Sequence, residues 1–92
     1  MTRQGVLNAM YRCWTIAQAA RLNAGGRQTA AHFADMVHQV NKPDFPEDRM
    51  NCWLGWMQGI LEANGIITGD EANEMNRLAR RLVPRVIVHK DD

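Results

Sequence analysis

Residues 52–71, CWLGWMQGILEANGIITGDE, decide how this chain folds. Leu54, Met57, Ile60 and Leu61 recur at helical spacing, which predicts a helix with one apolar stripe. Asn64-Gly65 stops it, because glycine enters the left-handed cap conformation at no steric cost. Thr68 followed by Glu71 is the signature of a reciprocal cap, so a second helix begins there. A helix, a glycine stop and a freshly capped helix point to an all-α chain.

Outward from that stretch the same signs recur. Met50 and Trp53 carry the stripe back to a start near residue 45, where Asp44 and Glu47 form a capping-box-like pair and Pro46 suits the first turn. The spacing of Val6, Leu7, Met10, Trp14 and Ala17 predicts a first helix over 2–23, ended by Gly25 and Gly26. Thr29 caps a second helix over 29–40 whose buried face is Phe33, Met36, Val37 and Val40. Residues 41–46, with two prolines, are a loop. A fourth helix over 69–82 buries Ala72, Met75, Leu78, Ala79 and Leu82 until Pro84 forbids continuation. Residues 84–92 are then a short extended C-terminal tail.

The chain also echoes itself at an offset of about 39 residues. Cys13 falls on Cys52, Trp14 on Trp53, Leu22 on Leu61, Ala24 on Ala63, Gly26 on Gly65, Thr29 on Thr68 and Met36 on Met75. This predicts a duplicated αα-hairpin, with Trp14 and Trp53 in equivalent places against a shared core. Four helices in two packed hairpins make a single helical domain over 1–92.

The chain has 92 residues, of which 46% are hydrophobic, so it can fold as one small domain. Its formal net charge of +1 provides no bulk field for nucleic acid or acidic membranes. Cys13 and Cys52 are too few for a disulfide scaffold, and beside tryptophans they read as small buried residues rather than nucleophiles. The N-terminus lacks the apolar run of a signal peptide, and no segment has the length to span a bilayer, which predicts a cytoplasmic protein. His32 and His38 are six positions apart and share no helical face, so no metal site is expected. Without a Walker loop, dinucleotide fingerprint or zinc-protease motif, the expectation is a non-enzyme with no cofactor.

Two groups of residues remain as candidate surfaces. Trp53 and Trp56 are three apart, so they lie about 60° from each other around the helix. Trp53 is expected in the core and Trp56 at its edge, where a tryptophan can anchor a partner. Gly55 and Gly59 share a face and predict close helix packing, by the first helix or by a second subunit in a homodimer. On the fourth helix Arg77, Arg80 and Arg81, followed by Arg85, form a basic cluster, which Arg21 and Arg27 could extend. Such a helix, with Asp70, Glu71 and Glu74 at its start, reads first as a solvated, dipole-matched surface. The functional alternative is a patch for phosphate or for an acidic protein.

Trp53, Leu54, Gly55, Gln58, Gly59, Leu61, Gly65, Thr68, Glu71, Asn76 and Arg77 together resemble a phrase common in small uncharacterised proteins of tailed phages and prophages. The match is shifted by one residue at Gly69-Asp70 and covers about a quarter of the chain. The resemblance implies no residue roles. It implies a setting: small accessory proteins that bind and block a host protein, including defence complexes as anti-CRISPR proteins do, or that adjust nucleic-acid processing. The expectation is a phage accessory protein that occludes a host protein through Trp56 and the arginines. The alternative is a small dimeric DNA- or RNA-binding regulator, disfavoured because the second helix, TAAHFADMVHQV, has no Lys or Arg.

Overall fold

Local signals place the helices, and tertiary packing decides how they are used. The structure is a computed structural model that describes the backbone of residues 2–91 and the side chains of residues 2–80. It is an all-α, four-helix domain: α1 (Arg3–Ala19), α2 (Ala30–Val40), α3 (Glu47–Ala63) and α4 (Gly69–Asp91), with no strand among the described residues.

The core is assembled around α1, which packs along α2, α3 and α4, whereas α2 and α3 meet only briefly. The inward stripe of α1 is Val6, Ala9, Met10, Cys13 and Ala17, with Gly5 also buried. Its small members let neighbours approach from several sides. The stripe of α3 is Met50, Leu54, Met57 and Leu61, all bulky and all buried. Phe33, Met36, Val37 and Val40 of α2 and Ala72, Met75 and Ala79 of α4 complete the core. A fully buried Phe or Met contributes about 1.5–3 kcal/mol, so Phe33, Met10, Met50 and Met57 are its main anchors. Within this bundle the two hairpins are joined unequally. α1 and α2 form a close pair, but α3 and α4 do not pack closely along their described lengths, because α4 instead lies on α1.

Several helix ends follow from chemistry visible in the chain. Thr29 Oγ1 accepts from the His32 amide at 3.0 Å, capping α2. At α4 the Glu71 amide donates to Thr68 Oγ1 at 3.1 Å, and the Thr68 amide donates to Glu71 Oε1 at 2.9 Å, a complete capping box. The start of α3 differs from the expectation. Its N-cap is Pro46, in extended conformation, with no side-chain cap bond, so the Asp44/Glu47 box does not form. Pro46 lacks an N–H and fixes its own φ, and the helix begins directly after it. Nor does α4 stop at Pro84: its backbone stays helical to Asp91, in place of an extended tail. One proline deletes the hydrogen bond to the carbonyl four residues back and crowds that carbonyl, at a cost of about 3 kcal/mol, which the bonded turns on either side offset.

α1 ends at Ala19, short of Asn23, and Gly25-Gly26 is not its stop. The Leu22 amide donates to the Ala17 carbonyl at 2.9 Å and the Arg21 amide to the Gln18 carbonyl at 3.0 Å. This is a Schellman stop with Arg21, at φ 55°, in the left-handed position. α3 ends the same way with Gly65 at φ 70°: Ile66 donates to Leu61 and Gly65 to Glu62, both at 2.9 Å. The internal echo therefore has two offsets. Val6, Met10, Cys13 and Ala17 match Met50, Leu54, Met57 and Leu61 in burial at 44, while Phe33, Met36 and Val40 match Ala72, Met75 and Ala79 at 39. The longer α1–α2 connection absorbs the difference. The single offset of 39 is corrected for the first helices, since it sets buried Cys13 on exposed Cys52.

Candidate functional site

With its bulky stripe turned inward, α3 shows solvent an uncharged face. No charged residue occurs from Met50 through Leu61. Asn51, Cys52, Gly55 and Gly59 are exposed, and Trp56 retains 37% of its surface. A Cβ added at Gly55 or Gly59 would meet nothing within 4 Å. The first helix does not approach these glycines, which corrects the expectation of close packing within the chain. They sit opposite the buried stripe, on the side that no other described element covers.

Different neighbours bound this face on its two flanks. Trp56 leans towards α2, with its ring centroid 6.0 Å from Phe33 and 5.9 Å from His32, the latter edge-on at 83°. Gln58, two positions on and so about 200° round the helix, points to α4. Its Nε2 donates to Asn76 Oδ1 at 2.8 Å and lies 3.6 Å from Met75 Sδ. Among the described residues, Trp56 and the α4 arginines Arg77 and Arg80 are thus on opposite flanks of α3, with the open glycines between them, and do not form one cluster. Trp53 is half-buried, its ring 4.8 Å from Phe45 and packed against the core.

Of the basic cluster, Arg77 is paired with Glu74, and its Nε donates to Glu74 Oε1 at 3.2 Å. Both side chains are about half exposed, and such a pair contributes little to stability. Arg80 is exposed, one turn beyond Asn76 on the same side of α4. The side chains of Arg81 and Arg85 lie outside the described residues. Cys13 is buried with Sγ 3.5 Å from Met75 Sδ, and burial pushes its thiol up to about 12. Cys52 is exposed, not buried as expected, because α3 turns it to the side opposite Met50 and Leu54. His32 is half-buried against Trp56 and His38 is exposed. Among the described residues no three His, Cys, Asp or Glu side chains converge as metal ligands.

Two contacts are not anticipated by the sequence patterns. Arg3 Nη1 donates to the Phe45 carbonyl at 2.7 Å and Nη2 to the Val40 carbonyl at 3.2 Å, with a further bond to Lys42, so one guanidinium ties the α2–α3 loop to α1. The signal was an arginine in a first helical turn, where the dipole disfavours it. Gln58–Asn76 is the second, joining two elements by a nearly buried amide pair. Its signal was a glutamine among the apolar residues of α3.

No protein-family model, curated protein or solved structure matches this chain. No described helix is long and apolar enough to cross a membrane.

Proposed function

We propose that this chain is a non-enzymatic docking protein that occludes a host protein, working in the bacterial cytoplasm as a phage or prophage accessory factor. The observation that carries this is the open face of α3, uncharged for three turns and rimmed by Trp56. Phe33 and His32 back the Trp56 ring, so a partner covers an aromatic surface that is already held, and ordering it on binding costs little. The glycines let a partner segment approach the α3 backbone. The resemblance of the α3 phrase to small tailed-phage proteins supports the host setting. Arg77 and Arg80 are a separate polar contact on the far flank.

Self-association through Gly55 and Gly59 is the second reading, favoured by their open surroundings. The nucleic-acid regulator has less support, because the exposed side of α2 presents Ala31, Asp35 and His38 and no Lys or Arg.

The test is capture from bacterial lysate, with and without nuclease, using tagged wild-type protein and Trp56→Ala. The expected result is a stoichiometric protein retained after nuclease, weakened about tenfold or more in the variant. Retention that vanishes with nuclease, or equal capture by both proteins, overturns it. Light scattering on the purified protein decides the self-association reading: a monomer at high concentration removes it.

A further inference from the structure

The connection from Arg21 to Gln28 is chemically distinct from the α3 face. Residues 1–34 contain four arginines, Arg3, Arg12, Arg21 and Arg27, and no Asp or Glu. Arg3 is committed to the α2–α3 loop. Arg21 and Arg27 are both exposed at the base and tip of one turn. The one ion pair among the described residues is Arg77–Glu74, so neither has a described carboxylate within 4 Å.

The turn is rigidly held. Ala24 donates to the Gln28 carbonyl at 2.8 Å, Gln28 to Gly25 at 3.0 Å and Ala30 to Leu22 at 3.1 Å. Leu22 is buried beneath it, and Asn64 Nδ2 at the end of α3 reaches Gln28 Oε1 at 3.4 Å. At the tip Gly25 and Gly26 have φ of 94° and 56°, with open space where a Cβ would stand. Among the described residues no hydrogen bond takes up the backbone N–H groups of Gly25, Gly26 and Arg27.

We propose that this turn is an anion site that takes a phosphate group, held by the backbone N–H groups of Gly25–Arg27 and the guanidinium groups of Arg21 and Arg27. The unbonded N–H groups at the tip of the turn present positive partial charge to solvent. Guanidinium adds planar, two-pronged bonds to phosphate oxygens. Arg21 stands where α3 uses Gly65, accepting a strained backbone to place a cation there, although the negative end of the α1 dipole also favours a cation at that position.

The test is an amide chemical-shift titration of the whole chain with pyrophosphate, and in parallel with a short oligothymidylate, against sodium chloride at matched ionic strength. The site gives saturable shifts at the amides of Gly25, Gly26 and Arg27. The midpoint weakens about tenfold in Arg21→Gln and in Arg27→Gln, whose unchanged melting shows that they fold. Tighter saturation by the oligonucleotide identifies a phosphodiester backbone as the source, and saturation by pyrophosphate alone a free phosphoryl group. Shifts no larger than with chloride for both ligands, or midpoints indifferent to both substitutions, overturn the site.

Discussion

Each half of this molecule runs a long helix into a Schellman stop and then into a threonine-capped second helix, yet the two are used differently. The first half closes on itself as α1 against α2, and α1 also carries α3 and α4. The second half stays open, since α4 crosses to α1 and leaves one side of α3 to solvent. The difference lies in side-chain size. Gly5, Ala9, Cys13 and Ala17 let α1 be approached from several directions, whereas Met50, Leu54, Met57 and Leu61 commit α3 to a single inward face. Repeated local signals thus do not produce a repeated tertiary role.

The two cysteines give the largest contrast. Exposed Cys52 should react with an aromatic disulfide reagent without waiting for any opening, while Cys13 waits for the core to open, slower by a factor on the order of a thousand or more. Counting thiols over time in native and denatured protein checks this. Two fast thiols would break the offset of 44 between α1 and α3. The pH dependence has a definite sign. The Cys13 thiol titrates at about 12 when folded against 9.0 for its ordinary value. The unfolded chain therefore loses that proton first as pH rises. The stabilisation is whole below pH 9.0 and is lost as pH climbs from there towards about 12. Cys13→Ser should blunt this alkaline loss.

The tryptophans come next. Trp53 packs on Phe45 and the core, so Trp53→Ala should cost about 2–3 kcal/mol, below the roughly 3–5 of a fully enclosed ring. Trp56 keeps more of its surface and loses mainly its contacts with Phe33 and His32, about 1–2 kcal/mol. Urea midpoints of the two variants check the ordering. Equal losses would mean that Trp56 is held as firmly as Trp53 and that the rim of the α3 face is core.

What the sequence showed in advance was what depends on a few neighbouring residues. Thr29, and Thr68 with Glu71, make their caps within one turn, and Gly65 takes the left-handed position that its lack of a side chain permits. Gly25-Gly26 misled because Arg21 had already ended α1, and arginine seldom takes that backbone conformation. Gly55 and Gly59 misled because a spacing of four says that two residues share a face, not whether that face is covered. Arg3 and Gln58 went unseen as structural partners because their acceptors, Val40 to Phe45 and Asn76, are distant in sequence. For the same reason spacing could not show that Trp56 lies on the opposite flank of α3 from Arg77 and Arg80.

Gly59 sharpens the openness of the second half. An exposed glycine inside a helix, with nothing near its absent Cβ, should gain about 1 kcal/mol when replaced by alanine. A thermal melt of Gly59→Ala should therefore shift upward. If a partner sits against the α3 backbone, the same variant should bind it less well, so stability and capture move in opposite directions. A loss of stability would show that something in the chain does cover this face.

The smallest effect compares the two stops directly. Arg21 and Gly65 hold the same left-handed place after α1 and α3, but only Arg21 has a Cβ, which costs roughly 1–2 kcal/mol there. Arg21→Gly relieves that strain and gives back part of the gain, because glycine makes the unfolded chain freer. The net expectation is a stabilisation of about 0.5–1 kcal/mol, read from urea unfolding. Gly65→Arg is the mirror experiment and should lose a similar amount or more. If Arg21→Gly destabilises instead, the guanidinium is supporting the end of α1 through the helix dipole by more than its backbone strain costs. The first stop would then owe its arginine to folding, and strain at Arg21 would no longer count among the reasons to place an anion at the α1–α2 turn.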